Sequence, residues 1–145
     1  EQPQVFIHRD YQSRNLMVLD DKTLGIIDFQ GAKWGPITYD LVSLLREVNI
    51  DWPIDKVKKW AKDLQPRMWQ QAGLTPVSEQ QFMRWFDLTG LQRHLKVLGQ
   101  FVRKALAENN NDYIVDMPRV LNYVFQTCEQ YEDLTPLGNL LKGLA

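Results

Sequence analysis

His8-Arg9-Asp10-Tyr11-Gln12-Ser13-Arg14-Asn15, followed further on by Asp28-Phe29-Gln30-Gly31, is the stretch on which the reading of this sequence turns. Between the two segments lie the apolar runs Leu16 to Leu19 and Thr23 to Ile27, separated by the polar turn Asp20-Asp21-Lys22. That pattern predicts a β-hairpin. Asn15 immediately precedes its first strand and Asp28 immediately follows its second. Antiparallel pairing therefore brings both to the same open end, within about 5 Å between backbones. A hard ion such as Mg²⁺ takes a few protein oxygens and completes its shell with phosphate and water oxygens. Asn15 and Asp28 are thus candidate metal ligands. Asp10, on the loop that enters the hairpin, is left to orient or deprotonate an acceptor hydroxyl. His8 and Arg9 are expected to hold the loop's shape through hydrogen bonds. Taken singly, an Asp near a turn is ordinarily a solvated cap and an Asn before a strand a turn residue. Their fixed offsets around one hairpin carry the argument.

Working outward, Val5-Phe6-Ile7 is a further short run of strand type, and beyond Gly35-Pro36 apolar residues recur at helical spacing. The expected fold is mainly α with a small β-hairpin: residues 1–36 carry the loop, the hairpin and the Asp-Phe-Gln segment, and residues 37–145 form a helical subdomain. Thr38 to about Asn49 is a first helix with Leu41, Leu44, Leu45 and Val48 on one face. Ile54 to Ala72 is a second, bent or broken at Pro66, which removes an amide donor. Ser78 and Gln81 have capping-box spacing and open a third stretch, which Thr89-Gly90 could kink. Its stripe of Leu91, Leu95, Leu98, Val102 and Leu106 should pack against neighbours before Asn109-Asn110-Asn111 ends it. Asp116 and Pro118 begin a last helix holding Leu121, Val124, Phe125 and Cys128.

The 145 residues include 17 basic and 18 acidic side chains, and 44% of the chain is apolar. A length and composition of this kind suit one globular domain with a core of its own. With a net charge of −1, no overall field draws the chain to nucleic acid or an anionic membrane. No run approaches the length of a membrane span. The single Cys128 lies in an apolar helical pattern and reads as a buried thiol, which fits a reducing, cytoplasmic setting.

The spacing His-Arg-Asp, four residues, Asn is that of a kinase catalytic loop. The segment from Val5 to about Glu47 resembles the aminoglycoside phosphotransferase and choline kinase superfamily, whose C-terminal lobe shares its catalytic core with protein kinases. Within it, Asp28-Phe29-Gln30 and the run Trp34 to Arg46 are similar to bacterial anomeric sugar kinases acting on N-acetylmuramate and N-acetylglucosamine, and Leu91 to Gly99 extends the similarity into the helical part. The resemblance implies that Asp10 is the catalytic base and that Asn15 and Asp28 hold Mg²⁺ at the phosphates of ATP. It implies that Asp40 caps the helix it opens and braces the loop. Gln12 stands where related kinases carry His or Lys, so any positive charge near the transferred group would fall to Arg14. Gln30-Gly31 replaces the plain Gly after Asp-Phe. Arg93 and His94, with Lys96, read from periodicity as a packed His between solvated cations, and from the resemblance as possible contacts to a sugar. Trp34, Trp52, Trp60, Trp69 and Trp85 are expected first of all in the core.

No Gly-x-Gly-x-x-Gly or Gly-x-x-x-x-Gly-Lys occurs, and no strand Lys precedes His8. The chain is therefore expected to be the C-terminal catalytic lobe of a longer protein, its partner being the N-terminal nucleotide lobe of the same chain. The expected function is ATP- and Mg²⁺-dependent phosphorylation of a small sugar. Aminoglycoside or choline phosphorylation is the alternative of the same chemistry, weakened because Asp51, Asp55, Asp63, Glu79 and Asp87 form no tight acidic cluster. A non-catalytic pseudokinase-like binding module is the alternative of another class, opposed by the joint presence of Asp10, Asn15 and Asp28.

Overall fold

The structure is a computed structural model and describes residues 1–109 and 114–143. Every strand among the described residues lies before Ile37 and every α-helix after it, as the change in periodicity predicts. The hairpin pairs β2 (Leu16–Val18) with β3 (Leu24–Ile26), in the register Leu16↔Ile26, Met17↔Gly25 and Val18↔Leu24. Its turn is set by Lys22, whose φ of 65° is left-handed, and by Asp21, whose carboxylate accepts from the amide and hydroxyl of Thr23. Those two bonds hold the Asp21 carboxyl below its ordinary value.

A second ribbon was not expected. β1 (Gln4–Ile7) pairs antiparallel with β4 (Lys33–Pro36), matching Phe6 to Trp34 and Val5 to Gly35. Gly35 is required here by space. A Cβ at that position would lie 2.3 Å from Ile7 Cδ1 and 2.9 Å from Ile7 Cγ1, and Ile7 is buried.

The chain divides into two compact units, Glu1–Thr89 and a second that begins at Gly90. In the first, the core is built from Ile37, Leu41, Val42 and Leu45 around α1 (Tyr39–Leu45), Val57, Ala61 and Trp69 on α2 (Ile54–Ala72), and Phe82, Met83 and Phe86 at the start of α3 (Glu79–Glu108). Burying a large apolar side chain of this kind contributes about 1.5–3 kcal/mol. Trp69 sits at its centre, edge-on to Phe82 and stacked with Trp85, and its indole N–H finds the carbonyl of Thr75 at 2.9 Å. Trp34 and Trp52 depart from the expectation of core tryptophans, since they are 70% and 38% exposed.

Helix α1 is shorter than expected. It stops at Arg46, which leaves helical geometry (φ −117°, ψ 44°) as its guanidinium is buried in an ion pair with Asp87 and over the Phe86 ring. Helix α2, by contrast, runs unbroken through Pro66 and ends at the left-handed Gly73, with the Leu74 amide returning to the Trp69 carbonyl. Around the proline, flanking side chains reach outward instead of leaving the helix: Lys62 pairs with Glu79, and Gln65 donates to the Val77 carbonyl. Helix α3 opens with Ser78 Oγ accepting the Gln81 amide at 3.2 Å, as its capping-box spacing predicts, and continues without interruption through Thr89-Gly90.

In the second unit, Leu91, Val124 and Cys128 form a small core with Leu95, Leu98, Leu134, Leu137 and Leu141 against it. α4 (Met117–Gln130) begins at Asp116, and the short α5 (Thr135–Lys142) completes the unit. The Cys128 thiol is buried, and desolvation pushes its pKa up. The leucine stripe of α3 is buried only in its first part: Val102 and Leu106 are exposed, because one helix's periodicity does not say how far its partners extend. α3 ends at Glu108 and Asn109 turns left-handed, whereas Asn110 and Asn111 lie outside the described residues. No helix among the described residues is long and apolar enough to cross a membrane.

Candidate active site

The loop between β1 and β2 carries Asp10, and three sets of hydrogen bonds fix its path. At its start, the amides of His8 and Arg9 both donate to the Asp40 carboxylate, at 2.6 and 3.0 Å. Arg9 has a left-handed φ of 75°, which helps turn two successive N–H groups onto one anion. The Arg9 guanidinium then reaches the Gly31 carbonyl at 3.2 Å. Asp40 thus braces the loop. It does not cap α1: Thr38 is the N-cap residue and makes no side-chain cap, and Asp40 sits within the first turn with both oxygens turned to the loop.

In the middle, the loop closes on itself. The Gln12 amide donates to the Asp10 carbonyl and the Asn15 amide to the Gln12 carbonyl, both at 2.9 Å. Ser13–Asn15 forms a single 3₁₀ turn. At its end, Ser13 gives its amide and its hydroxyl to the two oxygens of Glu47, at 3.0 and 2.9 Å.

The hairpin then does what antiparallel pairing requires. The Ile27 amide donates to the Asn15 carbonyl at 3.1 Å, extending the β2–β3 ladder by one bond and leaving Asp28 as the next residue. Ile27 is held from the other side too, because His8 Nε2 donates to its carbonyl at 2.9 Å. This bond fixes the His8 tautomer and joins the start of the loop, its end and the approach to Asp28 at one residue. Asp28 is itself left-handed (φ 65°, ψ 38°), a conformation that Asp tolerates better than most residues.

The side chains are arranged for separate tasks. The Asn15 amide nitrogen donates to the Asp10 carbonyl at 2.8 Å and faces Asp10 Oδ2 at 3.4 Å, so its carbonyl oxygen is the atom left for a ligand. Asn15 is buried, which keeps that orientation fixed. Asp28 is exposed, with one carboxylate oxygen accepting from Gln30 Nε2 at 2.6 Å. An amide oxygen and a carboxylate with its second oxygen unused are donors of the type a hard divalent ion takes. Asp10 Oδ2 receives the Arg14 guanidinium at 3.0 Å as well as the Asn15 contact, while Oδ1 takes no hydrogen bond among the described residues. Arg14 therefore places its charge beside Asp10. Arg93 and His94 belong to the second unit, where His94 is buried and stacked on Tyr123, with ring centroids 5.1 Å apart. Sequence reasoning missed Ser13 and Glu47. Nothing local signalled the pair, since Ser13 and Glu47 are 34 residues apart and Glu47 lies past the end of α1.

A helical lobe fronted by a hairpin, with Asp10, Asn15 and Asp28 gathered around the hairpin's open end, is the C-terminal lobe of a kinase-like fold. The chain belongs to the phosphotransferase enzyme family (APH), whose pattern matches residues 1–86. It is similar to N-acetylmuramate/N-acetylglucosamine kinases: 43% identical to that of Neisseria meningitidis serogroup B, 40% to that of Pseudomonas aeruginosa and 39% to that of Pseudomonas putida. Each comparison covers 99% of this chain and 42% of the relative. The chain thus spans less than half the length of the curated relatives it matches.

Proposed function

We propose that this chain is the catalytic lobe of an ATP- and Mg²⁺-dependent kinase that transfers the γ-phosphoryl group to a hydroxyl of an amino sugar. The observation that carries the reading is the division of labour at Asn15: its amide nitrogen is spent on Asp10, and its backbone carbonyl is tied to the residue before Asp28. Asp10 accepts the proton of the attacking hydroxyl through Oδ1, held in place by Asn15 and Arg14. Asn15 Oδ1 and the Asp28 carboxylate would hold Mg²⁺, which supplies charge neutralisation at the phosphates when bound. Gln30 and Asp40 orient Asp28 and the loop. The amino sugar as acceptor is supported by the similarity to the three sugar kinases over nearly the whole chain. The remaining length of such a protein would supply the nucleotide-covering lobe, and a cytoplasmic location, where ATP is at hand, goes with this reading.

The test uses the full-length protein, with transfer of labelled phosphate from ATP to N-acetylglucosamine and N-acetylmuramate as the readout. Asp10→Asn should lower kcat by roughly 10²- to 10⁴-fold, the range for loss of a general base, with little change in ATP affinity. Near-normal turnover by Asp10→Asn would move the proton acceptor elsewhere. Absence of transfer to either sugar by the unaltered protein would remove the proposed acceptor class.

A further inference from the structure

Glu47 is placed where elementary electrostatics disfavours it. It is 3% exposed, it lies just past the C-terminal end of α1, where the helix dipole is negative, and no ion pair reaches it among the described residues. Burying an unpaired carboxylate is costly unless hydrogen bonds offset the lost hydration. Both of its oxygens are used on one residue, Ser13, through the amide at 3.0 Å and the hydroxyl at 2.9 Å. Hydrogen bonds to an ionised acceptor are shorter and stronger than neutral ones, and two from a single residue fix orientation as well as distance.

We infer that Glu47 is a positioning residue for the catalytic loop: through Ser13 it sets the 3₁₀ turn Ser13–Asn15, and through that turn the placement of the Asn15 amide against Asp10. The inference rests on the proposed kinase reading for its consequence in turnover, but not for its structural content. Asp40 holds the loop at His8 and Arg9, and Glu47 holds it at Ser13, so Asp10 is suspended between two carboxylates, one in the first turn of α1 and one just past its end. Releasing either end frees the loop on one side only. Asn15 follows the Glu47 end. Its amide bonds to the Gln12 carbonyl, and its carbonyl receives the Ile27 amide, so displacement of Ser13 is passed to both sides of the metal-ligating pair.

Chemistry predicts a graded series. In Glu47→Gln the amide oxygen still accepts the Ser13 N–H, and the amide nitrogen can donate to the Ser13 hydroxyl oxygen, so two bonds persist without the charge. Ser13→Ala, at an exposed residue, loses the hydroxyl bond and keeps the amide bond. Glu47→Ala loses both.

The experiment measures amide hydrogen exchange of residues 10–16 and Ile27 in the full-length protein and its variants, together with kcat, sugar KM and the Mg²⁺ concentration for half-maximal rate. Exchange at Ser13, Asn15 and Ile27 should quicken in Glu47→Ala, less in Ser13→Ala, and least in Glu47→Gln. Misplacement of a catalytic group by about 1 Å costs roughly 10²-fold in rate. A fall of that order in kcat is expected for Glu47→Ala, with a raised Mg²⁺ requirement, an unchanged sugar KM, and rescue by Glu47→Gln to within roughly tenfold of the unaltered enzyme. Ser13→Ala added to Glu47→Ala should change nothing further, since the hydroxyl acts only through the carboxylate. If Glu47→Ala does not fold, Ser13→Ala and Glu47→Gln decide the matter. Unchanged exchange in the loop overturns the inference, whatever the activity. A raised sugar KM with kcat intact overturns it differently, by making Glu47 a contact to the acceptor. Should the unaltered protein phosphorylate no amino sugar, the proposed acceptor falls while the exchange series still judges the clamp.

Discussion

At Asn15, a single side chain joins two tasks of the proposed site: its nitrogen holds Asp10, and its oxygen would be offered to a metal ion. Under the proposed reading Asp28 would bring a full negative charge to the same ion, and Asn15 a dipole. Removing Asp28 should therefore cost more than removing Asn15, and removing both should cost less than the sum, because the two serve one ion. Activity against Mg²⁺ concentration for Asn15→Ala, Asp28→Ala and the double variant of the full-length protein measures this. Additive losses with an unchanged Mg²⁺ dependence would separate the residues. The placement of Asn15 and Asp28 at the hairpin's open end was readable from spacing alone, since local pairing of a hairpin determines what lies there. Glu47 was not readable, because its partner Ser13 is 34 residues away in the chain and nothing in the periodicity of α1 marks a contact of that range. Asp40 was readable only in part. An acid in the first turn of a helix looks like a cap, and the competing attraction of two converging amides appears only once the loop is folded.

Among the elements, the hairpin and helices α1 to α4 declared themselves through period, caps and turn residues, whereas β4 and α5 did not. Lys33-Trp34-Gly35-Pro36 holds a Gly and a Pro in four residues, which argues against a strand. It pairs because β1 offers a partner in register, with Pro36 at the end of the run where a missing amide does least harm. α5 is eight residues long and offers barely two turns of pattern; α1 is no longer than that, and is readable because its apolar spacing runs on to Val48, past the observed helix end. The fit of Ile7 over Gly35 makes the β1–β4 ribbon sensitive to a single methyl group. Gly35→Ala should destabilise the protein by about 1–3 kcal/mol, the usual cost of overpacking, and Ile7→Val should relieve part of that loss. Thermal unfolding of the two single variants and the double variant tests the pair; equal stability of Gly35→Ala and the unaltered protein would show that Ile7 moves aside without cost.

Across the whole molecule, the chain holds the residues expected to act on the acceptor but spans only 42% of its relatives' length. Positioning of phosphates supplies much of the rate in phosphoryl transfer. Residues 1–145 alone are therefore expected to transfer no phosphate from ATP to an amino sugar, and measurable turnover by that purified chain would show that the lobe positions nucleotide unaided. The surface of the hairpin bears on how this chain behaves alone. Met17, Val18, Leu24 and Ile26 on the hairpin, with Phe29 just beyond it, are all about half exposed or more. Both of the sheets among the described residues have only two strands, so every strand has one edge that no other strand pairs with. Apolar, unpaired edges recruit other strands, and evolution commonly blunts them with charge or covers them with another element. Neither remedy is present on Leu16-Met17-Val18-Leu19. Left uncovered, such a hairpin is expected to promote self-association, and a preparation of residues 1–145 should scatter light increasingly with concentration and time.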